Sequence, residues 1–194
     1  MIVGITCGGP DLPARMRDAL AAGLDVLLVR EDALPAGLDA LAEAWPGRVA
    51  LHTRMPGAEA LAARLPVALH VASTVPVEAW PASAFSVSAH TPEEVRRARA
   101  AGASWAFLSP IWRSPSKPGD TRPALGVAVL REPGAVALGG VSLARVALCR
   151  AAGAHGVAGM GGLFGARDVA EAVGAWRNAW RDAGPVQNDQ TSSS

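Results

Sequence analysis

Short apolar runs alternate with Ala- and Arg-rich stretches along the whole chain, and this alternation limits the fold more than any other feature. Strand candidates lie at 2–6, 25–30, 49–54, 67–72, 85–90, 104–111, 135–141 and 156–161. Helical stretches follow at 12–22, 35–45, 57–65, 77–80, 92–101, 125–130, 142–152 and 166–182, the fourth weak and the sixth short. Ala21-Ala22-Gly23, Ala100-Ala101-Gly102 and Ala151-Ala152-Gly153 each end a helix just before a strand. Glycine takes the left-handed position after a helix because it has no Cβ to clash. Thr91-Pro92-Glu93-Glu94 opens the fifth helix, with threonine as N-cap, proline at N1 and glutamate at N3.

Strands that alternate with helices imply a parallel sheet covered on both faces. Eight such units predict an α/β fold, a small single-domain (β/α)8 TIM barrel over residues 1–184. An open doubly wound sheet is the alternative. A chain of 194 residues is short for eight units, so the loops must be short. The last ten residues, 185–194, are polar and aperiodic and are expected to form a disordered tail.

Half the residues are apolar, which suits a densely cored globular protein. A formal charge of +1 without a basic block argues against a nucleic-acid partner. No apolar run approaches the ~20 residues of a membrane span. The start of the chain does not read as a secretion signal. Two cysteines, Cys7 and Cys149, show no metal-type spacing and read as free thiols of a reducing compartment. The expected location is the cytoplasm. Oligomeric state stays open, and a homo-oligomer is possible. Trp176 and Trp180 lie four apart on the last helix and share a face, which is expected to pack on the barrel.

Strand side chains alternate between faces, so each strand can be assigned an inner set. In 67–72 the bulky Val67, Leu69 and Val71 belong against helices, leaving Ala68, His70 and Ala72 toward the axis. The same parity turns Ala50, His52 and Arg54 inward, then Ser86, Ser88 and His90, then Val26, Leu28 and Arg30. Three histidines and two arginines thus gather near the carboxyl ends of neighbouring strands, where barrels keep their catalytic groups. His155 precedes the last strand and belongs at the opposite end.

Glycine turns close the last two strands. Gly139-Gly140 ends the seventh, where Ser142 can cap the next helix; Gly159-Met160-Gly161-Gly162 ends the eighth. Glycines let the backbone approach an oxyanion, and N–H groups at a helix start then bind it. A phosphate site after strands seven and eight recurs in this fold. The loop after strand six, 109–119, adds Ser114, Ser116 and Lys117 as hydroxyl and cationic donors beside that site.

Four segments carry a resemblance: Ser86-Val-Ser-Ala-His90, Leu108-Ser-Pro-Ile-Trp-Arg-Ser-Pro-Ser-Lys117, Leu138-Gly-Gly-Val141 and Gly156-Val-Ala-Gly-Met160. They are similar to the thiamine phosphate synthase/TenI superfamily, over residues 3 to about 163. The resemblance implies a small (β/α)8 barrel that binds thiazole phosphate in its mouth. The synthases join a pyrimidine pyrophosphate to thiazole phosphate with magnesium on the pyrophosphate. They carry an Asn-Asp pair after strand three, an acid past the strand-four histidine, and Arg-x-Lys after strand two. This chain has His52-Thr-Arg-Met55, His70-Val-Ala-Ser-Thr-Val75 and Arg30-Glu-Asp32 there. Arg30, Ser88 and Lys117 match the family's pyrophosphate contacts.

TenI-like members lack those acids too, and some are thiazole tautomerases that aromatise a carboxythiazole phosphate by proton transfer. That reaction needs a phosphate clamp, a cation for the carboxylate and one acid/base, without cofactor or metal. The expected function is therefore a TenI-like thiazole tautomerase of thiamine biosynthesis with a phosphorylated thiazole as its partner. The alternatives are a thiamine phosphate synthase, which alone would bring in Mg2+, and a non-catalytic thiazole-phosphate-binding paralogue. The acid/base candidates are His70, His90 and His52, in that order. One tautomerase pattern has a histidine in the loop after strand six, where this chain has Pro110. Arg30 or Arg54 would hold the carboxylate, and Gly139, Gly140, Gly159, Met160 and Gly161 the phosphate.

Overall fold

The structure is a computed structural model that describes residues 1–81, 83–113, 119 and 121–184. Eight strands close into one barrel in chain order. They are β1 (Ile2–Ile5), β2 (Val26–Val29), β3 (Val49–His52), β4 (Ala68–Val71), β5 (Phe85–Ala89), β6 (Ala106–Leu108), β7 (Ala135–Ala137) and β8 (Gly156–Gly159). Every neighbouring pair is parallel, and β8 returns to β1. The open sheet is thereby ruled out.

Among the described residues six α-helices wrap the strands: α1 (Leu12–Ala21), α2 (Leu38–Ala44), α3 (Ala58–Ala62), α4 (Pro92–Ala100), α5 (Leu143–Ala151) and α6 (Val169–Asp182). Among the described residues the two remaining crossovers carry 3-10 turns, Val77–Ala79 and Ala128–Arg131. These are the stretches whose sequence pattern was weak or short. Strand six stops at Leu108: Ser109 N–H still donates to Ala89 O at 3.0 Å, but Pro110 has no N–H to continue the ladder. Strand seven stops before Gly139 and Gly140, which both adopt positive φ. Helix α2 starts at Leu38, three residues later than its pattern, because Gly37 sits at φ +74. Helix α6 starts at Val169 rather than 166 because Asp168 caps it, accepting a hydrogen bond from the Glu171 N–H.

Two apolar layers result. Between strands and helices lie Leu27, Val29, Leu51, Leu69, Val71, Phe85 and Val87, among many others. Inside the barrel lie Val3, Ile5, Leu28, Ala50, Trp105, Phe107, Val136 and Ala158, with Val26 and Ala68 packed on them. The alternation inferred for strands two to four therefore has the right parity. Trp176 is buried in the outer layer, Trp180 is half-buried against it, and the Arg150 guanidinium stacks 4.7 Å from the Trp180 ring. Among the described residues no helix is long and apolar enough to cross a membrane. Residues 185–194, expected to form a tail, lie outside the described residues.

Candidate active site

The register of β3, β4 and β5 places His52 beside His70 and His70 beside Ser86. The two imidazoles meet edge to face with centroids 5.4 Å apart. His70 is the deeper, 1 % exposed, and packs on Phe107 at 4.8 Å and Trp105 at 6.0 Å. Both of its nitrogens are engaged: Nδ1 with Ser86 Oγ and Nε2 with Ser88 Oγ, each at 2.9 Å. Burial, then His52 and Arg30, push its pKa down to about 3. A neutral ring with both nitrogens held by hydroxyls is a poor shuttle for a substrate proton. Its ranking first among the acid/base candidates is not favoured by this geometry; His70 instead fixes the half-buried Ser88 hydroxyl.

His52 is also held neutral. Its Nδ1 accepts the Arg54 backbone N–H at 3.1 Å, and burial, then Arg54 and Arg30, lower its pKa to about 4. Arg30 in turn is lowered by burial and by Arg54. These mutual effects place His52, His70, Arg30 and Arg54 in one electropositive neighbourhood. Arg54 is exposed and Arg30 half-buried, so both guanidinium groups remain open to an anion.

His90 is different. It lies one residue past the end of β5 and is half-buried. Its Nδ1 donates to the Ser109 carbonyl at 2.8 Å, which fixes the proton on that nitrogen because a carbonyl only accepts. Its Nε2 lies 3.2 Å from Ser73 Oγ. Arg122 Nη1 sits over the ring, 2.7 Å from each nitrogen. The His90 backbone N–H donates to Glu94 at 2.6 Å, so the N3 glutamate of α4 braces the histidine while Thr91 Oγ1 caps the Glu94 N–H. A cavity of about 310 Å³ lies between the β4 loop and α4, lined by Ser73, Thr74, Trp80, Val87, Ser88, Glu94 and Arg97 among others; His90 itself is not in its wall, though its partners Ser73 and Glu94 are. That is enough for a small ligand.

Backbone bonds tie His90 to the first glycine turn. Ser109, which holds the ring, precedes Pro110, whose Cα would lie 2.9 Å from a Cβ on Gly139. Ile111 N–H then donates to Leu138 O at 2.9 Å and Trp112 N–H to Gly139 O at 3.0 Å. Gly139 and Gly140 adopt φ +87 and +65, and a Cβ on Gly140 would lie 2.7 Å from Trp112 Cβ. The close approach of the β6 loop thus requires both glycines. Helix α5 follows with no acid in its first turn. Ser142 stands at its N-cap, but its hydroxyl makes no capping bond.

The second turn departs from expectation. Gly159 is buried because Trp176 and Leu163 pack where its Cβ would be, at 2.8 and 2.7 Å. Its missing side chain makes room for Trp176 of α6. Met160 packs on the barrel interior, and its carbonyl accepts the Gly165 N–H at 2.7 Å. Gly161 is exposed with open space around its Cβ position. The start of α6 already carries Asp168 and Glu171, which disfavour an anion there. Ser114, Ser116 and Lys117 lie outside the described residues. His155 precedes β8 and takes no part.

Sequence reasoning left out Arg122, Ser73, Ser86 and Glu94 as site residues. Parity marks Ser86 as inward, and a hydroxyl just past a strand exit marks Ser73. Arg122 follows no periodic pattern that would have singled it out.

The β5 to β8 part of this arrangement has counterparts. Residues 80–163 match the family model described as thiamine monophosphate synthase. The chain is 33 % identical over 97 residues to a thiamine-phosphate synthase of Thermus thermophilus, a match covering 46 % of each sequence. It is 38 % identical over 99 residues to one of Salinispora tropica, covering 48 % of this chain and 47 % of that one. The match thus spans about half the length of these curated relatives. A solved structure of a thiamine phosphate pyrophosphorylase from Pyrococcus furiosus superposes with a TM-score of 0.74 at 20 % identity, covering 94 % of this chain and 96 % of that one, which is a likeness of fold.

Condensation, as the resemblance implies it, draws on magnesium, and the carboxylates expected for the ion past β3 and β4 are replaced here. Magnesium wants carboxylate oxygens. The positions past β3 hold Thr53 and Arg54, and those past β4 hold Ser73, Thr74 and Val75. Among the described residues no three His, Cys, Asp or Glu side chains group as a metal site.

Proposed function

We propose that this chain is a member of the thiamine phosphate synthase/TenI superfamily that binds a phosphorylated thiazole at the barrel mouth and acts on it by proton transfer. The observation that carries this reading is the placement of an oriented imidazole, His90, within one loop of the Gly139-Gly140 turn. The phosphate sits on the backbone N–H groups leading into α5, supplemented by Lys117, Ser114 and Ser116 from the β6 loop. Arg30, Arg54 and Arg122 supply cations for a second anionic group. A substrate carboxylate draws Arg122 off the His90 ring and opens Nε2. Nε2 then takes a proton from the ring carbon and returns it to the exocyclic carbon, so the substrate is isomerised with no net change in protons. Nδ1–H stays on the Ser109 carbonyl and stabilises the transient imidazolium.

The second reading is thiamine phosphate synthesis, favoured by the names of the curated relatives. It would have to proceed without the carboxylates the superfamily places past β3 and β4. Assays of the purified protein with both substrate sets separate the two. The proposal expects aromatisation of a carboxythiazole phosphate that persists in chelator. Magnesium-dependent condensation without aromatisation establishes the second reading instead. Saturable thiazole phosphate binding with turnover of neither leaves a binding-only paralogue.

A further inference from the structure

Arg145 lies in the first turn of α5 and is half-buried. Its Nη1 donates to the Gly140 carbonyl at 2.6 Å. The same guanidinium stacks on the Trp112 ring, 4.6 Å from the centroid. The Trp112 backbone N–H in turn donates to the Gly139 carbonyl at 3.0 Å. Consecutive carbonyls of the glycine turn are therefore held from two sides, one by α5 and one by the β6 loop, and Arg145 joins the holders to each other. We propose that Arg145 is a positioning residue that clamps the strand-seven glycine turn to the strand-six loop and so sets the affinity of the turn for phosphate.

The argument rests on peptide geometry. In a planar trans peptide the C=O and the following N–H point in opposite directions. Fixing Gly139 O on Trp112 therefore aims the Gly140 N–H away from the β6 loop. Fixing Gly140 O on Arg145 aims the Val141 N–H away from the guanidinium. Two successive donors with set directions form an anion-binding concavity. Glycines at φ +87 and +65 have wide conformational freedom, so without the clamp the turn would have to be ordered by the ligand itself. Lysine cannot replace arginine fully here, because the site uses a planar group that both donates and stacks.

This inference assumes that the turn binds phosphate, as proposed above. The test measures inorganic phosphate affinity by calorimetry, with melting temperature and steady-state kinetics alongside, for the wild type, Arg145→Met, Arg145→Lys and Trp112→Leu. The expected result is a roughly tenfold weaker Kd for Arg145→Met, the size of one lost charge-assisted hydrogen bond. Arg145→Lys should fall between that variant and the wild type. KM for the phosphorylated substrate should rise while kcat stays within about twofold. Combining Arg145→Met with Trp112→Leu should weaken binding by less than the product of the single effects, because the two share one clamp. Unchanged phosphate affinity in Arg145→Met overturns the clamp. A matching fall in kcat and melting temperature with Kd unmoved also overturns it, since that is the mark of a merely structural residue. If the wild type itself shows no saturable phosphate binding, the cradle fails and the clamp with it.

Discussion

Replacing His90 by glutamine should lower kcat for thiazole aromatisation by about 10²–10⁴-fold, the range a positioned acid/base supplies. Glutamine can still donate to the Ser109 carbonyl, so the loop that carries His90 to the Gly139 turn should keep its shape. KM should therefore change little. His70→Ala, the substitution that the sequence ranks first, removes a ring that is 1 % exposed and bonded at both nitrogens to Ser86 and Ser88. Its cost should appear mainly as lost stability. Steady-state kinetics of the two variants decide the matter. Near-normal turnover in His90→Gln together with a collapse in a folded His70 variant would restore His70 as the base.

Acid should destabilise the fold steeply between about pH 6.5 and pH 4. His70 and His52 have their pKa values lowered from 6.5 to about 3 and about 4 in the folded chain. Above pH 6.5 neither the folded nor the unfolded state binds these protons, and stability is at its full value. Below it the unfolded chain protonates both rings while the folded chain refuses, so stability falls until the pH passes the folded values. Each such group contributes a slope of about 1.4 kcal/mol per pH unit. For the enclosed His70 alone, lowering the pH from 6.5 to 5 should remove about 2 kcal/mol, a large share of the ~5–15 kcal/mol typical of a domain. His52 adds in the same direction. Urea unfolding at a series of pH values should show this slope in the wild type and a flatter one in His70→Gln. Equal slopes in the two proteins would mean that His70 is protonated as readily inside the barrel as outside.

The barrel was legible because its signals are local and repeated. Bulky outward residues such as Leu69 and Val71 alternate with small or polar inward ones such as Ala68 and His70, and the parity holds around strands two to four. Element ends were less legible, since they depend on single residues: Gly37 at φ +74 delays α2, and the Asp168 side chain sets the start of α6. Depth within the barrel was not legible at all. Parity turns both His70 and His90 inward, but only register and the bulk of Phe107 and Trp105 decide which is sealed and which faces the mouth. Gly159 shows the same limit. Its place after a strand suggests an anion turn, and the Trp176 ring arriving from α6 explains the missing side chain instead. Arg122 reaches His90 through a loop with no period, so no pattern in the chain could announce it.

The most direct test is a crystal structure of the protein with thiazole phosphate bound. The phosphate should rest on the N–H groups of Gly140 and Val141 at the start of α5, with the thiazole ring within hydrogen-bond reach of His90 Nε2. A phosphate seated away from that turn, or a ring remote from His90, would contradict the account.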